Sequence, residues 1–134
     1  MGKKVAILQG SKSDEALGSV VAEALKSHGI EYDRAVISAH RTPELLENFC
    51  GDADDKYAVI IAIAGLSAAL PGAIAARTEL PVIGVPVDVG PLHGVDALIT
   101  MAQMPSGTPV ATMGIGVSGA KNAAKLAARI MRLL

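Results

Sequence analysis

Tyr57-Ala58-Val59-Ile60-Ile61-Ala62-Ile63-Ala64 is apolar from end to end, without polar alternation. A run of this length reads as a strand. A strand apolar on both faces must be covered on both, which places it at the centre of a parallel sheet. Working outward, Lys4 to Leu8 is a second run of the same kind. Tyr32 to Ser38, Pro81 to Val87 and Val110 to Ile115 supply three more strands.

Helical patterns fill the gaps. Asp14 to His28 sets Leu17, Val20, Val21, Ala24 and Leu25 on one face, and Gly29 ends it. Thr42-Pro43-Glu44 is a helix start, with Thr42 as N-cap and Pro43 at the first helical position. The helix it opens, Glu44 to Phe49, is expected to be short and to fray near Gly51. Asp52, Asp54 and Asp55 then read as a solvated acidic connector. Gly65 to Gly72 is a small-residue turn into a helix over Ala73–Thr78. Pro91 to Gly94 is a loop, Val95 to Gln103 a helix, and Pro105-Ser106-Gly107 a turn. The last helix opens at Ser118 or Gly119 and runs to Leu134, with Ala123, Ala124, Ala127 and Ala128 suited to close packing.

Five strands alternating with helices predict an α/β fold: a single-domain, three-layer, doubly wound parallel sheet over residues 1–134. Right-handed crossovers and this element count favour the flavodoxin-like strand order 2-1-3-4-5.

Composition narrows the function. Hydrophobic residues make up 51% of the chain but aromatics only 2%, so aliphatic side chains must build the core. Net charge is −1 and the basic residues are scattered, which argues against a nucleic-acid partner. The single Cys50 excludes an intrachain disulfide and offers no metal-ligand cluster, and it is expected to be a buried or free thiol. No signal peptide is visible, and the apolar stretch from Ala58 to Ala76 is broken by Gly65, Ser67, Pro71 and Gly72. A membrane span is not expected, and a cytoplasmic protein is.

In a sheet of this order, ligands bind beyond the carboxyl ends of the strands, near the switch point. Three loops should leave that rim together. Gly10-Ser11-Lys12-Ser13-Asp14 has the parts of a phosphate cradle: a tight turn, two hydroxyls and amides at a helix start. Asp14 would repel phosphate, so it takes a sugar hydroxyl or caps the helix. Ser38-Ala39-His40-Arg41-Thr42-Pro43 adds a proton carrier in His40 and a permanent cation in Arg41. The third loop offers amides, Ser67 and small side chains against which a flat ring could lie. Each loop alone also has a bland reading, as a cap, a connector or a tight packing turn. Together they suggest a small anionic ligand, a nucleotide or sugar phosphate, and one acid/base group. A flavin carrier on the same fold is disfavoured by the shortage of aromatic residues.

These motifs, with Ala64-Gly65, Leu70-Pro71-Gly72, Gly84-Val85-Pro86-Val87, Gly94-Val95-Asp96 and Gln103-Met104-Pro105-Ser106-Gly107, resemble the N5-carboxyaminoimidazole ribonucleotide mutase family of purine biosynthesis. The likeness is collinear over nearly the whole chain. It implies a flavodoxin-like fold and usually a homo-octamer with active sites at subunit contacts. It implies an aminoimidazole ribonucleotide substrate, transfer of a carboxylate from the exocyclic nitrogen to ring carbon 4, and no metal or other cofactor. Carried over to this chain, Ser11, Ser13, Asp14 and Arg41 would hold the ribose phosphate. His40 would be the general acid/base, with Ser38 shaping its pocket. Gly65 and Ser67 would line the base and carboxylate region. Ala69 stands where the mutase branch commonly has a histidine, and Leu66-Ser67 leans toward the related branch that carboxylates aminoimidazole ribonucleotide directly with carbon dioxide. Leu66 and Ala68 nevertheless replace the Arg and Asn of that branch's Arg-Ser-Asn run, and Arg41-Thr42-Pro43 is mutase-like. His93 is a candidate substitute for that histidine, or a solvated loop residue. Mutase, direct carboxylase and a non-catalytic nucleotide-binding paralogue are the readings that remain.

Overall fold

Five parallel strands form one sheet in a computed structural model that describes residues 3–134. They are β1 (Lys4–Gln9), β2 (Tyr32–Val36), β3 (Tyr57–Ala64), β4 (Val82–Pro86) and β5 (Ala111–Thr112), in the order β2-β1-β3-β4-β5. The fold is the expected flavodoxin-like one.

Every residue of β3 is buried, and the side-chain period of two divides them between two cores. Ile60, Ala62 and Ala64 pack with Leu46 and Cys50 of α2 (Pro43–Lys56), Ile74 of α3 (Leu70–Ala75) and Met101 of α4 (Val95–Ala102). Val59, Ile61 and Ile63 pack with Val21 and Leu25 of α1 (Glu15–Ser27) and with Ala120, Ala123, Ala124 and Ala127 of α5 (Val117–Met131). Three layers follow from this alternation. Alanines on α5 let its backbone lie close to its neighbours; at Gly119 even a Cβ would fall 1.6 Å from the carbonyl oxygen of Gly114.

Several sequence expectations are corrected. The acidic connector is helix: α2 runs on through Gly51, Asp52, Asp54 and Asp55 to Lys56. Leu46, Cys50 and Ala53 recur at helical spacing and are buried, which holds the segment helical, while the three carboxylates face solvent. Lys56 pairs with Asp52 one turn back at 3.1 Å. α3 begins at Leu70 and ends at Ala75, earlier than expected at both ends, with Pro71 tolerated in its first turn. Lys12–Asp14 forms a 3₁₀ turn ahead of α1. β2 stops at Val36; Ile37 N–H still reaches the Gln9 carbonyl at 2.8 Å, and the chain then turns. β5 has two residues where six were expected. Beyond it, Met113 and Gly116 still donate to β4 carbonyls at 2.9 Å, so the edge follows β4 without a regular ladder. α5 starts at Val117 and ends at Met131.

Candidate active site

The loops after β1, β2 and β3 meet on one rim and enclose a cleft of about 290 Å³. Gly10 N–H donates to the Ile63 carbonyl at 2.9 Å, which ties the first loop to β3. Ser11 caps the 3₁₀ turn, its Oγ accepting from Ser13 N–H at 3.2 Å and lying 2.9 Å from Ser13 Oγ. Asp14 makes no side-chain cap to α1. It is 7% exposed, and burial raises its pKa, opposed by a backbone hydrogen bond from Ser11. A buried carboxylate with no ion pair among the described residues is costly, and a ligand hydroxyl at this cleft would relieve it.

The second loop is closed by its own side chains. Ser38 Oγ accepts from Arg41 N–H at 3.0 Å. Thr42 Oγ1 accepts from Ser38 N–H at 2.9 Å and donates to the Ser38 carbonyl at 3.1 Å. Thr42 therefore occupies the N-cap position of α2 without capping it; its hydroxyl is committed to the turn. This clasp of Ser38, Arg41 and Thr42 fixes the backbone from Ser38 to Thr42 and leaves His40 and Arg41 exposed at the rim.

Strain marks the third loop. Leu66 and Ala68 have φ of 56° and 39°, a region costing of order 1 kcal/mol or more for each residue with a Cβ. Gly65 sits where a Cβ would approach Val89 Cγ1 to 2.6 Å. Val87 N–H donates to the Ala64 carbonyl at 3.0 Å, so the β4–α4 loop is fastened to the third loop.

All eight residues singled out from the sequence, Ser11, Ser13, Asp14, Ser38, His40, Arg41, Gly65 and Ser67, line this one cleft. Val89, Leu66 and Leu70 line it too. Val89 was not foreseen, because it comes from a fourth loop; its only sequence signal is its place three residues beyond β4. The lining is thus mixed: hydroxyls, a carboxylate, an imidazole and a guanidinium, together with the apolar Leu66, Ala68, Ala69, Leu70 and Val89. His93 does not line it. It lies in the β4–α4 loop, 81% exposed, with Nδ1 3.5 Å from Asp88. Cys50 is buried away from the cleft, and burial raises its thiol pKa. Among the described residues no cluster of potential metal ligands occurs, and no helix is long and apolar enough to cross a membrane.

The family model described as AIR carboxylase matches residues 4–134. The chain belongs to the AIR carboxylase family. Within this family it is 50% identical over 132 residues to the N5-carboxyaminoimidazole ribonucleotide mutase of Pseudomonas aeruginosa, covering 98% of this chain and 81% of that one. It is 50% identical over 129 residues to the enzyme of the same name from Saccharolobus solfataricus, covering 96% and 80%. The crystal structure of Treponema denticola PurE superposes with a TM-score of 0.88 at 35% identity, covering 98% of this chain and 82% of that one. Membership in the AIR carboxylase family accounts for the sheet order and for the collinear motifs.

Proposed function

We propose that the protein is an N5-carboxyaminoimidazole ribonucleotide mutase of de novo purine biosynthesis. It interconverts N5-carboxyaminoimidazole ribonucleotide and 4-carboxy-5-aminoimidazole ribonucleotide. One observation carries this reading: a single cleft lined by the hydroxyls of Ser11, Ser13, Ser38 and Ser67, the Asp14 carboxylate, the His40 imidazole and the Arg41 guanidinium, together with the apolar Leu66, Ala68, Ala69, Leu70 and Val89. That mixed lining matches a phosphorylated ribose joined to a flat ring.

Arg41, Ser11 and Ser13 hold the phosphate, and Asp14 takes a ribose hydroxyl. Gly65 and Ser67 face the ring and its carboxylate, and Ser38 holds the turn that presents His40. The bond from the exocyclic nitrogen to the carboxylate breaks, releasing carbon dioxide, as His40 gives that nitrogen a proton. Carbon 4 then attacks the trapped carbon dioxide, and His40 takes the proton that leaves carbon 4. The proton given equals the proton taken and nothing is oxidised, so the reaction balances without a cofactor. Carbon dioxide is apolar, and the wall of Leu66, Ala68, Ala69, Leu70 and Val89 suits its retention and the exclusion of water. The likeness to the family, with the exposed apolar side chains Leu66, Leu92, Val95, Ile99 and Val117, supports a homo-octamer. The free thiol of Cys50 fits a cytoplasmic setting. Residues 1–134 act as one domain.

Direct carboxylation of aminoimidazole ribonucleotide is the second reading. It is favoured by Ala69, where the mutase branch commonly has a histidine, and by Leu66-Ser67 in the third loop. Product formation followed with both substrates, in carbonate-free buffer and with added bicarbonate, separates the two. A mutase converts the N-carboxylated substrate without bicarbonate. Turnover of the plain ribonucleotide alone, and only with bicarbonate, would overturn the mutase reading. Binding with no turnover of either would leave a non-catalytic paralogue.

A further inference from the structure

Arg34, on β2, does not line the cleft, yet it joins the two ends of the loop that would hold the phosphate. Its Nη2 donates to Gln9 Oε1 at 2.8 Å and to Glu15 Oε2 at 3.0 Å. Gln9 ends β1 directly before Gly10, and Glu15 opens α1 directly after Asp14. Loop 10–14 therefore leaves and re-enters regular structure at two residues gripped by one guanidinium nitrogen.

The arrangement is a poor bargain for stability alone. Gln9 is 2% exposed and falls on the same face of β1 as the buried Val5 and Ile7, and its Nε2 finds no partner among the described residues. An apolar residue there would avoid an unsatisfied buried donor. Room for the pair comes from Gly18, where a Cβ would lie 2.1 Å from Gln9 Oε1 and 2.7 Å from Arg34 Nη2. Arg34 also neutralises Glu15, whose carboxylate would otherwise add to the negative charge met by an arriving phosphate.

We propose that Arg34 is a positioning residue for the phosphate-binding loop, holding Gln9 and Glu15 so that Ser11, Ser13 and Asp14 keep their spacing. This rests on the reading of the cleft as a ribonucleotide site. Both of its effects fall on the phosphate end and neither on the reacting carbon, so KM should move and kcat should not.

The test is steady-state kinetics with the N-carboxylated ribonucleotide, inhibition by inorganic phosphate, and thermal melting, on wild type, Arg34→Met, Arg34→Lys and Gly18→Ala. Arg34→Met is expected to raise KM and the phosphate inhibition constant about tenfold, the scale of a charge-assisted hydrogen bond, with kcat within about twofold. Arg34→Lys should recover most of this, because one nitrogen makes both contacts. Gly18→Ala keeps all three partners but wedges them apart, so it should raise KM without any change of charge. Unchanged KM and phosphate inhibition in Arg34→Met would overturn the proposal. So would a fall in kcat of the same size as the rise in KM, or a lowered melting temperature as the only effect. A wild type that binds phosphate but turns over neither substrate rejects the mutase reading instead, and phosphate binding by the variants still decides the role of Arg34.

Discussion

Gly65→Ala tests whether the third loop and the β4–α4 loop shape the cleft together. Gly65 does not have positive φ, so its backbone accepts alanine and only sterics remain. The new Cβ would stand 2.6 Å from Val89 Cγ1 and 3.3 Å from Val87 Cβ. Carbon atoms pack at about 3.5–4.0 Å, so Val89 must retreat by about 1 Å and Val87 by a few tenths. Overpacking of this kind costs about 1–3 kcal/mol, and Val89, 42% exposed, can yield toward solvent, which points to the lower half of that range. For a chain of 134 residues this lowers Tm by about 3–7 °C. The effect on activity should be larger, since a shift of about 1 Å in a positioned site can cost roughly a hundredfold. The assay is kcat/KM with the N-carboxylated substrate, alongside thermal melts, for Gly65→Ala, Val89→Ala and the double variant. Gly65→Ala should lose about ten- to a hundredfold. The double variant should recover most of that, because removing Cγ1 clears the closest contact, and Val87 should leave a small deficit. A double variant as slow as Gly65→Ala, or an unimpaired Gly65→Ala, would refute the idea that Val89 sets this wall.

Replacing His40 by Asn should leave nucleotide binding intact and slow turnover by at least about a hundredfold, the lower end of general acid/base catalysis; near-normal turnover dismisses His40 as the proton carrier. Asp14→Asn should stabilise the protein at neutral pH while weakening ribonucleotide binding. Burial raises the native pKa of Asp14, so the native state holds the proton more tightly than the unfolded chain, and wild-type stability falls as pH rises from the ordinary carboxylate value through the native one. Urea midpoints of the two proteins should therefore converge as pH is lowered through that window, and divergence there contradicts the sign. Ile74→Ala, at a position with 0% exposure, should cost about 2–5 kcal/mol in urea unfolding, and a loss below 1 kcal/mol would mean that the α3 layer repacks freely.

The central strand, the helical crossovers and the chemistry of the first two loops were legible because each is a local signal. An unbroken apolar run, a Thr-Pro-Glu helix start and a Gly-Ser-Lys-Ser-Asp turn show their character within a few residues. Errors came where a distant partner overrode a local preference. Asp52, Asp54 and Asp55 read as loop by composition, yet Ala53 sits between them at 0% exposure, and its burial against the sheet carries α2 across the acidic run. Thr42 was placed correctly, but its hydroxyl serves Ser38, because the turn offers a partner four residues back.

Sequence alone determined the layer architecture and the chemical character of the rim, since burial periodicity and turn chemistry are written along the chain. Tertiary structure alone decided that Val89 walls the cleft, that Leu66 stands at its edge in a left-handed conformation, and that Arg34 grips both ends of the first loop. Those contacts join residues brought together by parallel crossovers, and no local pattern encodes which side chains two such loops will place against each other.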